Sequence, residues 1–214
     1  MFISFEGIEG SGKTTQIKHV SAFLENEGIQ CVMTREPGGT DIGRRIRAIL
    51  LDPRSVNLDP LAELLLYMAD RAQHLNQIVK VNLDAGRTVL CDRYFDATLA
   101  YQGHARGLDA DMITLLHRQA FENLKPDLTF LLDLTPEEGL ARAWRQIDDG
   151  GRAAGETRFE EERVVFHEKV REGYLMLADK EPGRFVMIDA AMDEDGVRAQ
   201  ICSVLYDKML KVDS

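Results

Sequence analysis

The chain has 214 residues, 44% of them hydrophobic, and a formal net charge of −10 at pH 7. This size and apolar content suit one ordinary α/β domain, whereas the negative charge disfavours nucleic acid or an anionic membrane as a partner. No stretch approaches the roughly 20 apolar residues of a membrane span. We expect no signal peptide, because the first residues run straight into a motif without a basic leader.

The three cysteines, Cys31, Cys91 and Cys202, are widely spaced and form no C-x-x-C or metal-type pair. Cys31 and Cys91 fall within predicted strands, so we expect them to be buried free thiols. Free thiols are typical of a reducing compartment, and we therefore expect a cytoplasmic protein.

The first predicted strand, Phe2–Glu6, leads into a Gly-rich loop and then a helix over 13–27. The phosphate-loop pattern G-x-x-x-x-G-K-[ST] is matched at every fixed position by Gly7-Ile8-Glu9-Gly10-Ser11-Gly12-Lys13-Thr14. Backbone N–H groups and the helix N-terminus favour a bound phosphate there. We expect Lys13 to reach the β- and γ-phosphates of ATP, Thr14 to ligate Mg²⁺, and Thr15 to complete the ATP-binding segment.

A phosphate loop alone does not name a reaction, because switch GTPases, ATPases and small-molecule kinases all use one. A GTPase should also carry N-K-x-D, which is absent from this sequence. Two D-x-x-G matches exist, at 148–151 and 193–196, but the first lies in a predicted mobile loop and the second opens the last predicted helix. A nucleotide-dependent switch is therefore the weaker hypothesis, and a phosphoryl-transfer enzyme the stronger one.

The middle of the chain alternates between predicted strands and helices. In chain order we predict a strand over 29–34, a loop over 36–40, helix Asp41–Leu51, a helical stretch over 60–84 with one break, strand Thr88–Asp92, helical segments over 95–103 and 109–123 with Asp109 or Asp111 as cap, and strand Leu128–Asp133. Asp92 and Asp133 both end strands and are both candidates for a magnesium-side acid. We favour Asp92, because Arg93 follows it and would bring a phosphate-binding charge to the same place.

The last third begins with a clear helix start, in which Thr135 can cap, Pro136 suits the first turn and Glu138 can complete a capping box. We predict that this helix runs to about residue 147, followed by a mobile loop over 148–157, a helix over 159–178, a strand over 184–188 and a helix over 193–210. Alternating strands and helices predict a three-layer P-loop fold: about five parallel strands covered by helices on both faces.

Four arginines flank or occupy the predicted mobile loop: Arg142, Arg145, Arg152 and Arg158. An arginine on a mobile lid can close over a transferring phosphoryl group and neutralise its charge. We expect one or two of the four to be functional and the others to be solvated helix charges.

Several segments, spread over essentially the whole chain, resemble the thymidylate kinase family, in particular its bacterial type. They are the phosphate loop with an acid inside it, T-R-E-P-G-G-T at 34–40, Y-M-A-D-R at 67–71, D-R-Y at 92–94 with Y-Q-G at 101–103, P-D-L-T at 126–129, D-L-T-P-E at 133–137, and R-F-E at 158–160. The resemblance implies that ATP phosphorylates dTMP to dTDP, that Mg²⁺ accompanies the ATP, and that the enzyme is a homodimer.

The resemblance also implies which residues read the thymine base of dTMP. Tyr67 would stack on the ring and Arg71, one helical turn later, would reach a carbonyl of the base. Thr98 and Gln102 would lie at the edge of the base.

The sugar and phosphate of dTMP would meet a second group of residues, again by resemblance. Glu9 would hydrogen-bond the 3′-hydroxyl, Tyr101 would crowd the 2′ position, and Arg93 would hold the acceptor phosphate. Glu36 and Pro37 would line the same pocket.

In one form of the family a basic residue inside the phosphate loop supplies the catalytic arginine, but this loop carries no extra base. The chain therefore resembles the form whose lid, about 145–158, supplies it, which leaves Arg152 and Arg158 as candidates beside Lys13 and Arg93. Thr157 stands where the family usually has Asp, so the choice between the two stays open. Arg142 would belong to the ATP site, and residues 1–214 would form one kinase domain.

Because the attacking phosphate oxygen is already mostly ionised at about pH 7, the reaction needs no general base. We therefore interpret all five histidines (His19, His74, His104, His117 and His167) as scattered helix and loop residues rather than catalysts.

Overall fold

A computed structural model describes residues 1–150 and 155–210 of the chain. Five strands form one parallel sheet in the order β2-β3-β1-β4-β5: β1 (Phe2–Glu6), β2 (Cys31–Arg35), β3 (Thr88–Asp92), β4 (Leu128–Asp133) and β5 (Phe185–Asp189). The predicted five-stranded parallel sheet is thus confirmed.

The described residues also contain nine α-helical segments: α1 (Lys13–Asn26), α2 (Asp41–Leu51), α3 (Pro60–His74), α4 (Lys80–Asp84), α5 (Phe95–Thr98), α6 (Ala110–Phe121), α7 (Pro136–Asp148), α8 (Val164–Lys180) and α9 (Glu194–Leu205). π-helical turns follow α3, α5 and α9, at Leu75–Val79, Leu99–Ala105 and Tyr206–Leu210. The first of these is the predicted break in the helical stretch over 60–84. Among the described helices, none combines the length and the apolarity that crossing a membrane requires.

Both faces of the sheet are covered, because successive side chains of a strand point to opposite sides. Phe2 and Val89 are buried on one side, in a cluster that includes Leu64 of α3. Ile3 and Leu90, their neighbours along β1 and β3, belong to the other buried cluster, which holds apolar residues of α1, α8 and α9. The predicted three-layer arrangement follows from this alternation.

Two predicted element starts were wrong, by two residues for β2 and by five for α8. Strand β2 begins at Cys31 rather than at residue 29, because the Ile29 N–H donates to the Leu24 carbonyl and so closes α1. Cys31 lies on the edge strand β2 and is only half-buried, contrary to the prediction, whereas Cys91, on the interior strand β3, is buried as predicted. Helix α8 begins at Val164 rather than at 159, since residues 157–160 turn inward and are buried. The last predicted helix, over 193–210, is capped by Asp193 and stays helical to Leu210, with α geometry to Leu205 and π geometry after it.

Helix capping explains two starts that the sequence predicted. The Thr135 hydroxyl accepts from the Glu138 N–H and opens α7. Of the two candidate caps for α6, Asp109 is the one used, because its carboxylate accepts from the N–H groups of Asp111 and Met112.

The fold brings three loops together at one edge of the sheet. The loop after β1 is the phosphate loop, Asp92 and Arg93 end β3, and Glu36 follows β2. Because β2, β3 and β1 are parallel neighbours, their carboxyl ends meet at the same edge, where ligands of open α/β sheets bind.

Candidate active site

The phosphate loop folds around the side chain of Lys13. Its ammonium donates to the carbonyls of Gly7 and Ile8 at 3.0 and 2.7 Å, and to the Ser11 hydroxyl at 3.2 Å. Burial, followed by the nearby Arg93, lowers the pKa of Lys13 to about 8. A polyanion beside this ammonium would favour its charged form.

Two glycines let the loop pack closely against α7. Gly10 has φ 70°, in the left-handed region, and a Cβ there would collide with the backbone of Gly139. A Cβ on Gly139 would in turn lie 2.5 Å from the Glu9 carbonyl. A side chain at either position would push the loop away from the helix that leads into the predicted lid.

Thr14 and Asp92 lie together at the mouth of the loop, where the Thr14 hydroxyl donates to the Asp92 carboxylate at 2.7 Å. Asp133, the competing candidate, is held by Arg171 through two hydrogen bonds of 2.7 and 2.8 Å. No group of three or more His, Cys, Asp or Glu side chains in the described parts of the chain could hold a metal. Thr14 and Asp92 offer the small set of oxygen ligands that suits Mg²⁺ bound mainly through nucleotide phosphates and water.

Arg93 connects the phosphate loop to the neighbouring cavity. Its guanidinium donates to the Gly7 carbonyl and to the Glu9 carboxylate, both at 2.8 Å, and to the Tyr174 hydroxyl at 3.2 Å. It also lies 4.9 Å from the centre of the Tyr101 ring. Its backbone adopts φ 67°, which is uncommon for a non-glycine residue and typical of constrained functional positions.

A cavity of about 530 Å³ opens beside the loop. Every residue that the sequence assigned to the acceptor nucleotide lines it: Glu9, Glu36, Pro37, Tyr67, Arg71, Arg93, Thr98, Tyr101 and Gln102. Arg47, Leu51 and Phe159 also line it and were not predicted. The lining residues come from the loops after β1, β2 and β3, from α2, α3, α5 and the segment after α5, and from the segment before α8, so the cavity is a product of the tertiary fold.

One end of the cavity is organised around Arg71, which is 1% exposed. Its guanidinium donates to Glu36 at 2.8 Å and to the Thr98 hydroxyl at 2.9 Å. The other oxygen of Glu36 lies 2.8 Å from Nδ1 of His74. Burial would raise the pKa of Glu36, but Arg71 and His74 outweigh that effect and hold it below its ordinary value.

The other end is organised around Glu9, whose Oε1 accepts from the Tyr101 hydroxyl at 2.6 Å as well as from Arg93. Its Oε2 lies 3.1 Å from Nδ1 of His167, as a close contact of charges rather than an aligned hydrogen bond. Burial would raise the pKa of Glu9, but Arg93, His167 and Lys13 together hold it below its ordinary value. Glu9 is therefore an ionised carboxylate directed at the cavity from inside the phosphate loop.

Glu63 links the cavity to the end of the predicted lid. Its buried carboxylate accepts from Gln102 at 2.8 Å and from Arg158 at 2.6 Å, and Arg106 lies 3.4 Å away. Arg158 also donates to the Leu50 carbonyl at 3.0 Å. Gln102 and Arg158 thus share one acidic partner.

A second contact joins the lid to α2. Arg47 donates to the Glu156 carboxylate at 2.8 and 3.0 Å and to the Pro37 carbonyl at 3.1 Å. Arg47 therefore touches both the loop that lines the cavity and the last residues of the lid.

The predicted lid arginines occupy different positions. Arg142 donates to the Ala190 carbonyl at 2.9 Å, and Arg145 to the Ala141 carbonyl at 3.1 Å within its own helix. Arg158 is 8% exposed and paired with Glu63, while Arg152 lies outside the described residues. The structure does not bring Arg158 to the phosphate loop as it brings Arg93.

Besides Leu51 and Phe159, sequence reasoning missed the charged and polar residues Arg47, Glu63, His74 and His167 beside the cavity. Glu63 carried a usable signal, because it is an acid in an apolar helical run and lies four residues before Tyr67 and eight before Arg71, on the same helix face. All five histidines lie in helical segments, but two of them also contact acids that line the cavity. His74 and His167 are fully buried and contact Glu36 and Glu9, through sequence separations that no local pattern reveals.

A family model described as thymidylate kinase matches residues 5–201. The thymidylate kinase of Desulfosudis oleivorans is 55% identical over 190 residues, which cover 89% of this chain and 89% of that protein. The thymidylate kinase of Desulforapulum autotrophicum is 52% identical over 203 residues, or 95% of this chain and 89% of that one. The crystal structure of thymidylate kinase from Ehrlichia chaffeensis superimposes with a TM-score of 0.76 at 33% identity, covering 96% of this chain and 98% of that one.

Proposed function

Since the chain belongs to the thymidylate kinase family and phosphorylates dTMP to dTDP with ATP, we propose that residues 7–15 hold the ATP and that the adjoining cavity holds the dTMP. The enzyme is a transferase of nucleotide biosynthesis, and its product leads toward dTTP.

The observation that carries this assignment is the position of Arg93. One guanidinium contacts the Gly7 carbonyl in the phosphate loop and the Glu9 carboxylate in the cavity, each at 2.8 Å. A phosphate of the acceptor held by this group would lie beside the terminal phosphate of a nucleotide in the loop. Two separate clefts could not be served in this way by one side chain.

On the donor side, the backbone N–H groups of residues 7–14 and the start of α1 bind the phosphates. Lys13 neutralises charge on the β- and γ-phosphates. Thr14 and Asp92 would hold Mg²⁺, which when bound neutralises phosphate charge and helps to orient the γ-phosphoryl group. Arg142, at the side of α7 near Ala190, completes the ATP site.

On the acceptor side, the base occupies the end of the cavity where Tyr67, Arg71, Thr98 and Gln102 lie. Arg71 is held by Glu36, so its direction is fixed before a base arrives. Glu9 accepts from the 3′-hydroxyl, and the Tyr101 ring leaves no room for a 2′-hydroxyl. Pro37 closes the side of the cavity near Arg47.

The chemical step needs positioning and charge rather than a general base. An ionised oxygen of the dTMP phosphate attacks the γ-phosphorus of ATP, a new P–O bond forms, and the bond between that phosphorus and the β,γ-bridging oxygen breaks. ADP leaves with the electron pair of that bond. Arg93, Lys13 and a lid arginine, Arg152 or Arg158, lower the repulsion between the two anions, and the lid excludes water as a competing acceptor.

Three broader features belong to the same proposal. Residues 1–214 form one kinase domain whose lid spans about 145–158. The enzyme is a homodimer, a proposal favoured by the exposed apolar side chains Ile49, Leu61 and Leu65 on the packed helices α2 and α3. Its location is the cytoplasm, where ATP and dTMP are available. Sedimentation analysis measures the oligomeric state, and a monomer at micromolar concentration contradicts the second feature.

Changing Arg93 to Ala tests the assignment of the two sites. We expect kcat with ATP and dTMP to fall on the order of 10³-fold or more, while the Kd of ATP measured by calorimetry stays close to that of the wild type. The control is R118A, which also removes one arginine but at an exposed position of α6, and it should leave both kcat and the Kd of ATP unchanged. Turnover near the wild-type rate in R93A overturns the acceptor site, and a parallel loss of ATP binding shows a damaged loop instead.

A further inference from the structure

His167 is a fully buried histidine near the start of α8, with no side-chain surface exposed. Its Nε2 lies 2.9 Å from the carbonyl oxygen of Phe159. Its Nδ1 lies 3.1 Å from Oε2 of Glu9. The imidazole therefore spans the distance between the phosphate loop and the segment that ends the predicted lid.

The two neighbours of the ring determine its protonation. A carbonyl oxygen can only accept, so Nε2 must carry a hydrogen. In a neutral ring Nδ1 would then present a lone pair to the Glu9 carboxylate, which is repulsive. A ring with hydrogen on both nitrogens has favourable contacts on both sides, and the geometry therefore selects the imidazolium.

The charged groups around His167 favour the same state. Burial opposes a charge on the ring, but Glu9, the Phe159 carbonyl and Glu160 outweigh it and raise the pKa of His167 above its ordinary value. The groups on the far side of Glu9 are Arg93 and Tyr101, and both are bound to its other oxygen, Oε1. His167 is thus the neighbour of Oε2.

We propose that His167 is a positioning residue for the sugar of dTMP: as a buried cation between Phe159 and Glu9, it holds Oε2 and so fixes the direction in which the Glu9 carboxylate presents Oε1 to the 3′-hydroxyl. Oε2 is buried, whereas Oε1 lies beside Arg93 and Tyr101, which both line the cavity. The inference rests on the proposed role of Glu9 and adds the group that orients it. It also connects the sugar-binding carboxylate to Phe159, which directly follows Arg158 of the lid.

Two conservative substitutions separate the two contacts of the ring. The amide nitrogen of Asn can replace Nδ1 and that of Gln can replace Nε2, so H167N keeps a neutral donor toward Glu9 whereas H167Q keeps one toward Phe159. We expect H167Q to raise the KM of dTMP by about tenfold. The KM of H167N should lie between those of H167Q and the wild type, because it keeps a neutral donor toward Glu9. The KM of ATP and kcat should change much less. H104Q, at an exposed histidine, is the control.

The same enzymes are then assayed with 3′-deoxythymidine monophosphate, which lacks the hydroxyl that Glu9 is proposed to bind. We expect the penalty of H167Q to disappear with this substrate, because the contact that His167 supports no longer exists. Equal penalties for both substrates, or a fall in kcat with both KM values unchanged, mean a merely structural role and overturn the inference. E9Q separates the two proposals: if it does not reduce the preference for dTMP over the deoxy analogue, the sugar role of Glu9 fails; if it does and H167Q does not, only the role of His167 fails.

A measurement on the wild-type protein does not depend on whether these variants fold. In protein carrying ¹⁵N-labelled histidine, the ring of His167 should show hydrogen on both nitrogens at pH 7, with the other four rings identified by single His→Gln variants. The kcat/KM for dTMP should also fall as pH rises through the pKa of His167. H167N should lack this fall, but should still lose activity as Lys13, whose pKa is about 8, gives up its proton. A neutral ring at pH 7 contradicts the proposal.

Discussion

The acceptor cavity and the lid differ in how their charged side chains are held. In the cavity, Arg71 and Arg93 are each bound to a buried carboxylate that lines the same pocket. At the lid, Arg158 is bound to Glu63 and Leu50, away from the phosphate loop. The cavity is arranged before any ligand arrives, whereas the lid side chains have partners that they must exchange in order to act on the transferring phosphoryl group.

The difference has a consequence for how each region would respond to a nucleotide. A guanidinium fixed by a carboxylate loses little conformational freedom when a nucleotide binds, so the proposed recognition of dTMP by the cavity should be geometrically strict. A guanidinium that must leave a buried carboxylate makes closure conditional on a better partner, such as a triphosphate. Removing charges from the two regions tests whether this contrast is real.

The largest effect is expected in the cavity, from replacing Arg71 with Met. The change leaves the buried Glu36 carboxylate with His74 but without its guanidinium partner, so the free energy of unfolding should fall by about 3–5 kcal/mol. The kcat/KM for dTMP should fall on the order of 10²-fold or more, because the base loses its donor. Urea unfolding and initial rates measure the two quantities.

R71K sharpens the test, because it keeps the charge and loses the forked geometry. We expect it to recover part of the stability but not the use of dTMP. R54M, at an exposed surface pair with Asp52, should unfold like the wild type. If R71M is as stable as the wild type, the cavity is not held together by its buried pairs.

The next effect concerns the lid. In R158A, Glu63 keeps Gln102 and Arg106 but loses its closest partner. We expect the free energy of unfolding to fall by about 3 kcal/mol, together with a lower kcat. The kcat of R152A in the same assay shows which arginine has the larger part in catalysis.

The stability and the kcat of R158A together decide the role of Arg158. A variant R158A that is as stable as the wild type would show that the Glu63 pair contributes nothing, and the contrast between lid and cavity would fail. A lower stability with unchanged kcat would make Arg158 a structural residue and leave Arg152 as the catalytic candidate.

The sequence predicted the sheet, its helices and the cavity residues because each depends on local pattern or on a recognisable segment. A strand, a turn and a helix start place Lys13 and Thr14 without reference to the rest of the chain. Asp92 and Arg93 end a strand, and parallel strands bring such ends together. The nine acceptor residues were named through the resemblance of whole segments to one family, and all of them line one cavity.

What the sequence could not predict are contacts between residues far apart that carry no motif. Glu63 and Arg158 are 95 positions apart, and the pairing of His167 with Glu9 joins α8 to the phosphate loop. The start of α8 was missed for the same reason, since residues 157–160 are drawn inward by partners elsewhere rather than by their own helical pattern. Such contacts depend on packing in three dimensions, which periodicity and propensity do not encode.

The smallest predicted effect is a gain in stability on removing the charge of Asp70, a buried carboxylate that lies near the cavity residue Glu36. Asp70 is fully buried beside the Gly38 N–H, and burial, followed by the nearby Glu36, raises its pKa from 3.8 to about 6. The folded state therefore prefers the protonated form. The stability that comes from this preference is complete below about pH 4 and is lost as pH rises through 6.

At pH 7 the wild type thus carries an ionised Asp70 that costs stability, unlike Glu36, which Arg71 and His74 stabilise. D70N keeps the acceptor for the Gly38 N–H and removes the charge. We therefore expect its free energy of unfolding at pH 7 to exceed that of the wild type by about 2 kcal/mol. Urea unfolding from pH 3.5 to 8 should show this difference shrinking to zero below about pH 4. A loss of stability at pH 7 would mean instead that the ionised carboxylate of Asp70 stabilises the loop over 36–40 through its contact with the Gly38 N–H.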